Sequence, residues 1–168
     1  DTDLHLVPQE GGSYAGPDVP WETVDTSMTN GFNYLKNVRR AAMSDGNFTV
    51  DFKVKDFRKT LAKQGQNLHL RMTMVNDFPL ADVAIAQGVP PQRDSNPEML
   101  EFVLAHREGN NLDSLFTTVF EPYRDNRYMD GIESVPVTYG DGSEVTAPDT
   151  VKAVKVTMKD GRVDYIVY

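Results

Sequence analysis

Three histidines are the first residues in this chain whose chemistry could serve a function. His5, His69 and His106 each fall in a segment that alternates like a β-strand, and none has a second histidine at metal-ligand spacing. Isolated sheet histidines are therefore the simpler interpretation. His106 is followed directly by Arg107, and the two could combine a base with a carboxylate clamp for an elimination reaction. The same pair also fits an ordinary turn at a strand end.

A second candidate is the polar stretch 123–128, YRDNRY, which interleaves aromatic rings with guanidinium and amide groups. Arginine can hold a carboxylate through two parallel hydrogen bonds, and a sugar ring can stack on an aromatic plane. These side chains suit a glycan that carries uronic acids, although a solvated loop can have the same composition. Tyr14 and Trp21, two aromatic residues near N-terminal loops, are further candidates for stacking on a sugar. Trp21 could instead cover the edge of the core. The candidate carbohydrate-binding residues are Tyr14, Trp21, His106, Arg107, Tyr123, Arg124, Asn126, Arg127 and Tyr128.

Acidic residues in predicted loops raise the question of a calcium site. Asp125, Asp130, Asp141 and Asp149 have the carboxylate oxygens that Ca²⁺ prefers. The sequence from Asp141 to Glu144, DGSE, lacks the alternating ligands and distal glutamate of an EF-hand, so a β-turn explains it better. No motif therefore supports a metal or another cofactor, and Ca²⁺ stays an open alternative.

Composition limits the class of protein. The chain has 168 residues, 39% of them hydrophobic, which suits a single β-sandwich domain over 1–168 with a substantial core. The absence of cysteine excludes disulfides and thiolate metal sites. A net charge of −8 argues against nucleic-acid binding, and no apolar run approaches the ~20 residues that span a bilayer. Because the chain begins on a strand-like segment without methionine, we expect a mature product or a piece excised from a larger multidomain protein.

Alternating segments predict the elements that must position these residues. FTVDFKVK (48–55) places apolar residues on one face and polar residues on the other, so one face should be buried and one exposed. LHLRMTMV (68–75) alternates in the same way. Asp160-Gly161 predicts a hairpin between two C-terminal strands. The short strands number about nine, with little helix, and favour an all-β, antiparallel β-sandwich.

The stretch 102–123 gives the most specific prediction of strand pairing. Gly109 and the two asparagines after it suit a tight turn, so the flanking strands should form one antiparallel hairpin. The second strand is apolar on both faces around Leu115–Phe120, which predicts a central position with cover on both sides. The polar segment 124–132 is predicted as a loop, and the next strand is predicted over 134–139.

Four segments follow one another along the chain: YLKNVRRA (34–41), the strand with Phe48 and Phe52, LHLRM (68–72), and FVLAHREG followed by FTTVFEPY (102–123). In this order they resemble the C-terminal β-sheet region of heparinase II/III-like polysaccharide lyases. The resemblance covers about residues 3–123 and depends on order and spacing more than on any single motif. It implies a secreted bacterial parent, extracellular or periplasmic, in which an α/α toroid precedes stacked antiparallel sheets and which cleaves uronic-acid polysaccharides by β-elimination.

This chain has no helical repeat that could build the toroid, so the resemblance implies the sheet portion without its catalytic partner. No catalytic residue is transferred. We predict a noncatalytic accessory module that recognises an acidic polysaccharide and contacts neighbouring domains of its parent. Two alternatives stay open, namely a structural domain that braces a toroid or another module through an apolar face, and a polysaccharide lyase in its own right. Because the net charge of −8 opposes polyanion binding, neutral glycans also stay open.

Overall fold

The chain folds into β-strands throughout the part that the structure describes. This structure, a computed structural model, describes residues 3–8, 22–23, 35–42, 47–54, 67–75, 80, 82–88, 98–145 and 151–168. None of these residues belongs to a helix, and so none lies in a helix that could cross a membrane. The strands are β1 (Asp3–Pro8), β2 (Glu22–Thr23), β3 (Leu35–Ala42), β4 (Phe48–Lys53), β5 (Leu68–Val75), β6 (Asp82–Gly88), β7 (Leu100–His106), β8 (Thr117–Arg124), β9 (Met129–Val135), β10 (Ala153–Met158) and β11 (Val163–Val167).

These strands pair into three antiparallel sheets. Sheet A has the order β1-β4-β5-β8, sheet B the order β2-β3-β6-β7, and sheet C the order β11-β10-β9. Every pairing within them is antiparallel. The prediction of an all-β, antiparallel, sandwich-like fold is therefore confirmed, with eleven strands in the described residues instead of about nine.

The main core lies between sheets A and B. Phe48 and Val50 of β4 share one face of sheet A with Met72 and Met74 of β5, because alternate residues of paired strands lie on the same face. Val83 of β6 packs against them from sheet B. Phe48, Val50 and Val83 are fully buried. The alternation of the two strand sequences thus predicts the inner face of sheet A correctly.

The opposite face of sheet A is covered as well. Val75 at the end of β5 packs with Ile132 of β9 and with Val154 and Val156 of β10. Sheet A is therefore the middle layer, with sheet B on one face and sheet C on part of the other. The alternation of 48–55 predicts that this second face is exposed, and the prediction is wrong for the part that includes Thr49, which is buried.

Strands β7 and β8 do not form the predicted hairpin. β7 pairs with β6 in sheet B, whereas β8 pairs with β5 in sheet A. The connection between them is closed by its own contacts, because Arg107 Nη1 donates hydrogen bonds to the Asp113 carbonyl oxygen at 2.8 Å and to Ser114 Oγ at 2.7 Å. Asn111 takes a left-handed conformation with φ of 52°. The tight turn predicted around Gly109 is therefore wrong: the connection runs over 107–116 and carries the chain from one sheet to the other.

The predicted central position of Leu115–Phe120 is also wrong. β8 is the edge strand of sheet A, and 54% of Phe120 is exposed. Phe120 borders an open groove between sheets A and B, whereas Val119 packs against the apolar residues of sheet C. The groove has a volume of about 360 Å³ and is lined by Phe52, Val54, Leu70, Met72, Val103 and Phe120.

The C-terminal part follows the sequence prediction more closely. β10 and β11 pair from Ala153 opposite Val167 to Thr157 opposite Val163, which confirms the hairpin at Asp160-Gly161. Gly161 has φ of 90°, a conformation that favours glycine. The strand expected over 134–139 lies earlier, as β9, because the segment after β8 is held in place by a buried carboxylate described below.

Two phenylalanine substitutions test this layer order. Phe48→Ala should lower the free energy of unfolding by about 3–5 kcal/mol, because it leaves a cavity in the core between sheets A and B. Phe120→Ala should cost about 1 kcal/mol or less, because more than half of that side chain is exposed. Denaturant unfolding of both variants measures the difference, and equal losses would contradict the edge position of β8.

Candidate functional site

Charged residues occupy one end of the face of sheet A that sheet C partly covers. Backbone register places Asp51 of β4 opposite Arg71 of β5, and Arg71 opposite Glu121 of β8. His69 and Tyr123 are also opposite each other, and each is two residues along its strand from Arg71 or Glu121. They therefore lie on the same face of sheet A as those two residues. All five side chains are buried or half-buried. We use the name polar cluster for Thr49, Asp51, His69, Arg71, Glu121, Tyr123 and Arg127.

Asp51 is the central acceptor in one half of the polar cluster. Its Oδ1 lies 2.6 Å from His69 Nδ1, and its Oδ2 accepts a 2.5 Å hydrogen bond from Tyr123 Oη. The rings of His69 and Tyr123 stack with their centroids 4.9 Å apart and an interplanar angle of 14°. His69 Nε2 lies 3.1 Å from Asn67 Oδ1. Both ring nitrogens of His69 are therefore engaged within the protein.

Arg71 lies between the two carboxylates of the cluster. Its Nη2 donates to Thr49 Oγ1 at 3.0 Å, and its Nη1 lies 3.8 Å from Asp51 Oδ2. Burial lowers the pKa of the Arg71 guanidinium and the charge of Arg127 acts in the same direction, whereas Asp51 and Glu121 act to raise it. Within the described residues, the buried Arg71 Nε has no hydrogen-bond partner. The charge of Arg71 is thus balanced mainly by the two carboxylates beside it.

Glu121 fixes the segment that follows β8. Its Oε1 accepts hydrogen bonds from the backbone N–H groups of Tyr128 at 2.8 Å and Met129 at 2.7 Å. Its Oε2 accepts a hydrogen bond from Arg127 Nε at 2.9 Å. Only 1% of Glu121 is exposed, and charge-assisted hydrogen bonds of this kind are about twice as strong as neutral ones. A side chain of sheet A therefore holds the first residue of β9, and with it the start of sheet C.

The turn 124–128, which connects sheet A to sheet C, presents polar side chains on a fixed backbone. Asp125 takes a left-handed conformation with φ of 58°, and its N–H donates to the Asn67 carbonyl oxygen at 3.0 Å. Glu121 holds the other end of the turn. The exposed side chains of the turn are Arg124, Asp125, Asn126 and Tyr128, and Arg127 is half-buried. The terminal nitrogens of Arg127 have no hydrogen-bond partner among the described residues.

No family model, curated protein or solved structure matches this chain. Its function has to be argued from the site, because a fold of this class hosts many unrelated functions.

The structure brings five of the predicted carbohydrate-binding residues together. Tyr123, Arg124, Asn126, Arg127 and Tyr128 all lie at the end of β8 or in the turn that follows it. Tyr123 differs from the other four because its hydroxyl and its ring are both engaged with the polar cluster. The remaining four are the surface part of the site.

The other predicted residues are not part of this surface. His106 ends β7 in sheet B, and Arg107 is bound to its own loop, so the proposed base and clamp do not join the turn 124–128. Both residues also make other contacts. Tyr14 and Trp21 lie outside the described residues, and so does Asp149.

Of the acidic residues predicted in loops, Asp130 lies in strand β9 instead, and Asp125 and Asp141 lie in separate connections. Within the described part of the chain, no group of three or more His, Cys, Asp or Glu could hold a metal ion. Asp141 Oδ1 accepts hydrogen bonds from Ser143 N at 2.9 Å and Ser143 Oγ at 2.6 Å, which lower the pKa of the Asp141 carboxyl group. Gly142 has φ of 85°. This segment therefore forms the predicted turn, and its carboxylate is used in closing that turn.

The polar cluster is poorly suited to proton abstraction. Burial, together with the hydrogen bond to Asp51, raises the pKa of Tyr123 to about 12, so the phenol stays protonated at neutral pH. A general base works best with a pKa near the working pH. His69 has no ring nitrogen left for a substrate proton. The polar cluster is thus the frame that holds the turn 124–128 in place, and the turn is the candidate binding surface.

A matched pair of glutamate substitutions tests the role of the frame. Glu121→Ala should lower the free energy of unfolding by about 3–5 kcal/mol, because it removes a buried carboxylate from Arg127 and two backbone N–H groups. The control is Glu133→Ala, since Glu133 is exposed although Lys155 Nζ lies 2.6 Å from it. An exposed pair contributes about 0–1 kcal/mol. Equal losses in urea denaturation would contradict the buried frame.

The raised pKa of Tyr123 predicts a pH dependence at the alkaline end. The folded protein holds this proton more tightly than the unfolded chain, whose tyrosine pKa is near 10.0. The stabilisation should therefore be complete below pH 10 and be lost as the pH rises through 12. Ultraviolet titration of the seven tyrosines should show a late-ionising group that Tyr123→Phe removes and that Asp51→Asn shifts to lower pH. A late phase unchanged in Tyr123→Phe would contradict the assignment.

Proposed function

We propose that this chain is a noncatalytic β-sandwich accessory module that binds an acidic polysaccharide through the turn 124–128. The proposal places it in an extracellular or periplasmic protein that resembles the heparinase II/III-like lyases. Support for the lyase context comes from the resemblance over about residues 3–123. Support for binding at the turn comes from the side chains that it presents and from the rigidity of its backbone.

The observation that carries the proposal is the state of Arg127. Glu121 binds its Nε at 2.9 Å and so fixes the plane of the guanidinium group. The terminal nitrogens have no hydrogen-bond partner in the described part of the chain. A planar guanidinium held in this way suits the two oxygens of a carboxylate, and little entropy is lost when the ligand binds.

The neighbours of Arg127 suit a sugar polymer as well as an isolated anion. Tyr128 exposes 42% of its surface and offers a ring face for stacking against a sugar. Asn126 adds amide donors and acceptors for hydroxyl groups. Arg124 and Arg127 are balanced by Asp125 and by Glu121, which binds Arg127, so the turn offers guanidinium groups to a carboxylate without a net positive charge.

A second function, the bracing of a neighbouring domain, is favoured by a different observation. The apolar groove between sheets A and B is open, and Val54 and Phe120 on its border are exposed. An apolar surface of this kind is suited to protein contact. The two functions use separate parts of sheet A, so a loss of glycan binding in turn variants would support the first without excluding the second.

Calorimetric titration against heparin, alginate, pectin and a neutral glycan tests the proposed function. At least one of the uronic-acid polymers should bind more tightly than the neutral glycan. Arg127→Lys keeps the charge but loses the planar fork, and should weaken binding about tenfold. Tyr128→Ala should weaken it by a similar factor, because a stacking surface is lost.

A matched control comes from an exposed residue outside the turn. Tyr139→Ala removes an exposed tyrosine from the 137–145 segment and should leave the dissociation constant unchanged. Uniform absence of binding by the unaltered chain would overturn the proposed function, as would equal weakening by the turn variants and the control.

A further inference from the structure

Among the residues that the structure describes, β11 leaves one long side of sheet C without a partner strand. It pairs only with β10 among the described residues, and it is the terminal strand in the order β11-β10-β9. The side chains of Val163, Tyr165, Ile166 and Val167 are exposed, and 64% of Tyr165 is accessible. An exposed strand rich in β-branched and aromatic residues is a template for further pairing.

The hydrogen bonds to β10 show which backbone groups point outward. Lys152 and Tyr168 exchange both of their N–H to carbonyl bonds, at 3.0 and 3.1 Å, and Met158 N donates to the Arg162 carbonyl oxygen at 2.8 Å. Successive residues of an antiparallel strand point their backbone N–H and carbonyl groups to alternate sides, so the even-numbered residues of β11 bond to β10. The N–H and carbonyl groups of Val163, Tyr165 and Val167 therefore point away from the sheet.

These three outward positions form a palindrome. Val163, Tyr165 and Val167 are separated by one residue each, so the order Val-x-Tyr-x-Val is the same in both chain directions. In an antiparallel pair centred on Tyr165, each tyrosine would lie opposite the tyrosine of the other copy, and Val163 opposite Val167. The outward groups would meet as hydrogen-bonded pairs, and the apolar side chains of one face would lie together. A surface that complements itself in this way is the requirement for a twofold dimer.

The charges of β11 do not oppose this pairing. Arg162 Nη2 binds the carboxylate of its neighbour Asp164 at 3.1 Å within the same chain. The pairing centred on Tyr165 places Asp164 opposite Ile166 of the second copy, so no two like charges are directly opposed. On the adjacent strand, Lys155 is bound to Glu133 at 2.6 Å.

Four of the other sheet edges in the described residues carry features that hinder pairing. β8 contains Pro122, β1 ends in Pro8, the pairing of β9 has a register shift at Thr157 and Met158, and β2 is only two residues long. The fifth edge, β7, has none of these features, but its sequence LEFVLAH lacks the symmetry of β11. β11 contains no proline, and its pairing with β10 has no register shift. Proline, bulges and short length are the usual means of protecting an edge.

From this self-complementary edge we infer that β11 pairs with β11 of a second copy of this chain. The two sheets C then form one continuous six-stranded sheet across a twofold axis. The inference does not depend on glycan binding, because β11 and the turn 124–128 share no residue. A dimer would nevertheless carry two copies of the turn, and a polysaccharide long enough to reach both would bind with higher avidity.

Single cysteines test the pairing and its register, because the chain contains no cysteine of its own. Tyr165→Cys should form a disulfide-linked dimer under mild oxidation, since opposed residues in a hydrogen-bonded pair have Cα atoms about 5.5 Å apart, within disulfide range. Val163→Cys alone should not link, whereas Val163→Cys mixed with Val167→Cys should form the mixed dimer. Tyr139→Cys is the control for random collision, because Tyr139 is equally exposed and lies outside β11.

Sedimentation of the unaltered chain tests the same inference without cysteine. The mass should rise from one copy towards two as the concentration increases. Tyr165→Pro should abolish this rise while leaving the unfolding transition in place, because it removes an N–H that points away from β10. A mass of one copy at every concentration would overturn the inference, and so would a Tyr165→Cys dimer no more abundant than that of Tyr139→Cys.

Discussion

The arrangement of sheets A and C depends on the buried carboxylate of Glu121. This one side chain accepts three hydrogen bonds, and all three donors belong to the segment that leaves sheet A and begins sheet C. Backbone N–H groups buried without a partner would cost about 1–3 kcal/mol each, so the carboxylate determines where the chain turns. The apolar contacts of Val75 with sheet C can form only when β9 begins at this place. A polar interaction therefore sets the position of an apolar interface.

The face of sheet A toward sheet C is divided for the same reason. At one end, Val75 and Val119 pack against apolar residues of sheet C. At the other end, Asp51, Arg71 and Glu121 balance each other across three neighbouring strands. Burying any one of these charges alone would be unfavourable, but Arg71 and Arg127 together balance the two carboxylates. The polar cluster thus lets sheet A be covered on both faces although its sequence alternates like that of a half-exposed sheet.

The limits of sequence prediction follow from this division. The alternation of Phe48 to Val54 is a local pattern, so it predicts strand β4 and its inner face correctly. The burial of Asp51 depends on which strands lie beside it, and a pattern within one strand contains no such information. Gly109 and its asparagines indicate that strand β7 ends before them, but they specify neither the length of the connection nor whether the next strand joins the same sheet. The sequence of 123–128 indicates side chains that could bind a ligand, but it does not indicate the polar cluster that holds this stretch in place. One usable signal existed, because Asp51, Arg71 and Glu121 each stand within a strand-like stretch with charges that alternate in sign.

The link between frame and surface explains why Arg127 is the residue on which the proposed binding depends. A flexible arginine on an open loop loses side-chain entropy whenever it orders around a ligand, about 2 kcal/mol in the full case. Arg127 has already lost much of that freedom, because Glu121 holds its Nε. The same carboxylate neutralises part of its charge, so the attraction for an anion is weaker than that of an unpaired guanidinium. The arrangement therefore favours recognition by geometry over attraction by charge, and under the proposed function a chain of net charge −8 would bind a carboxylate only where the sugar beside it also fits.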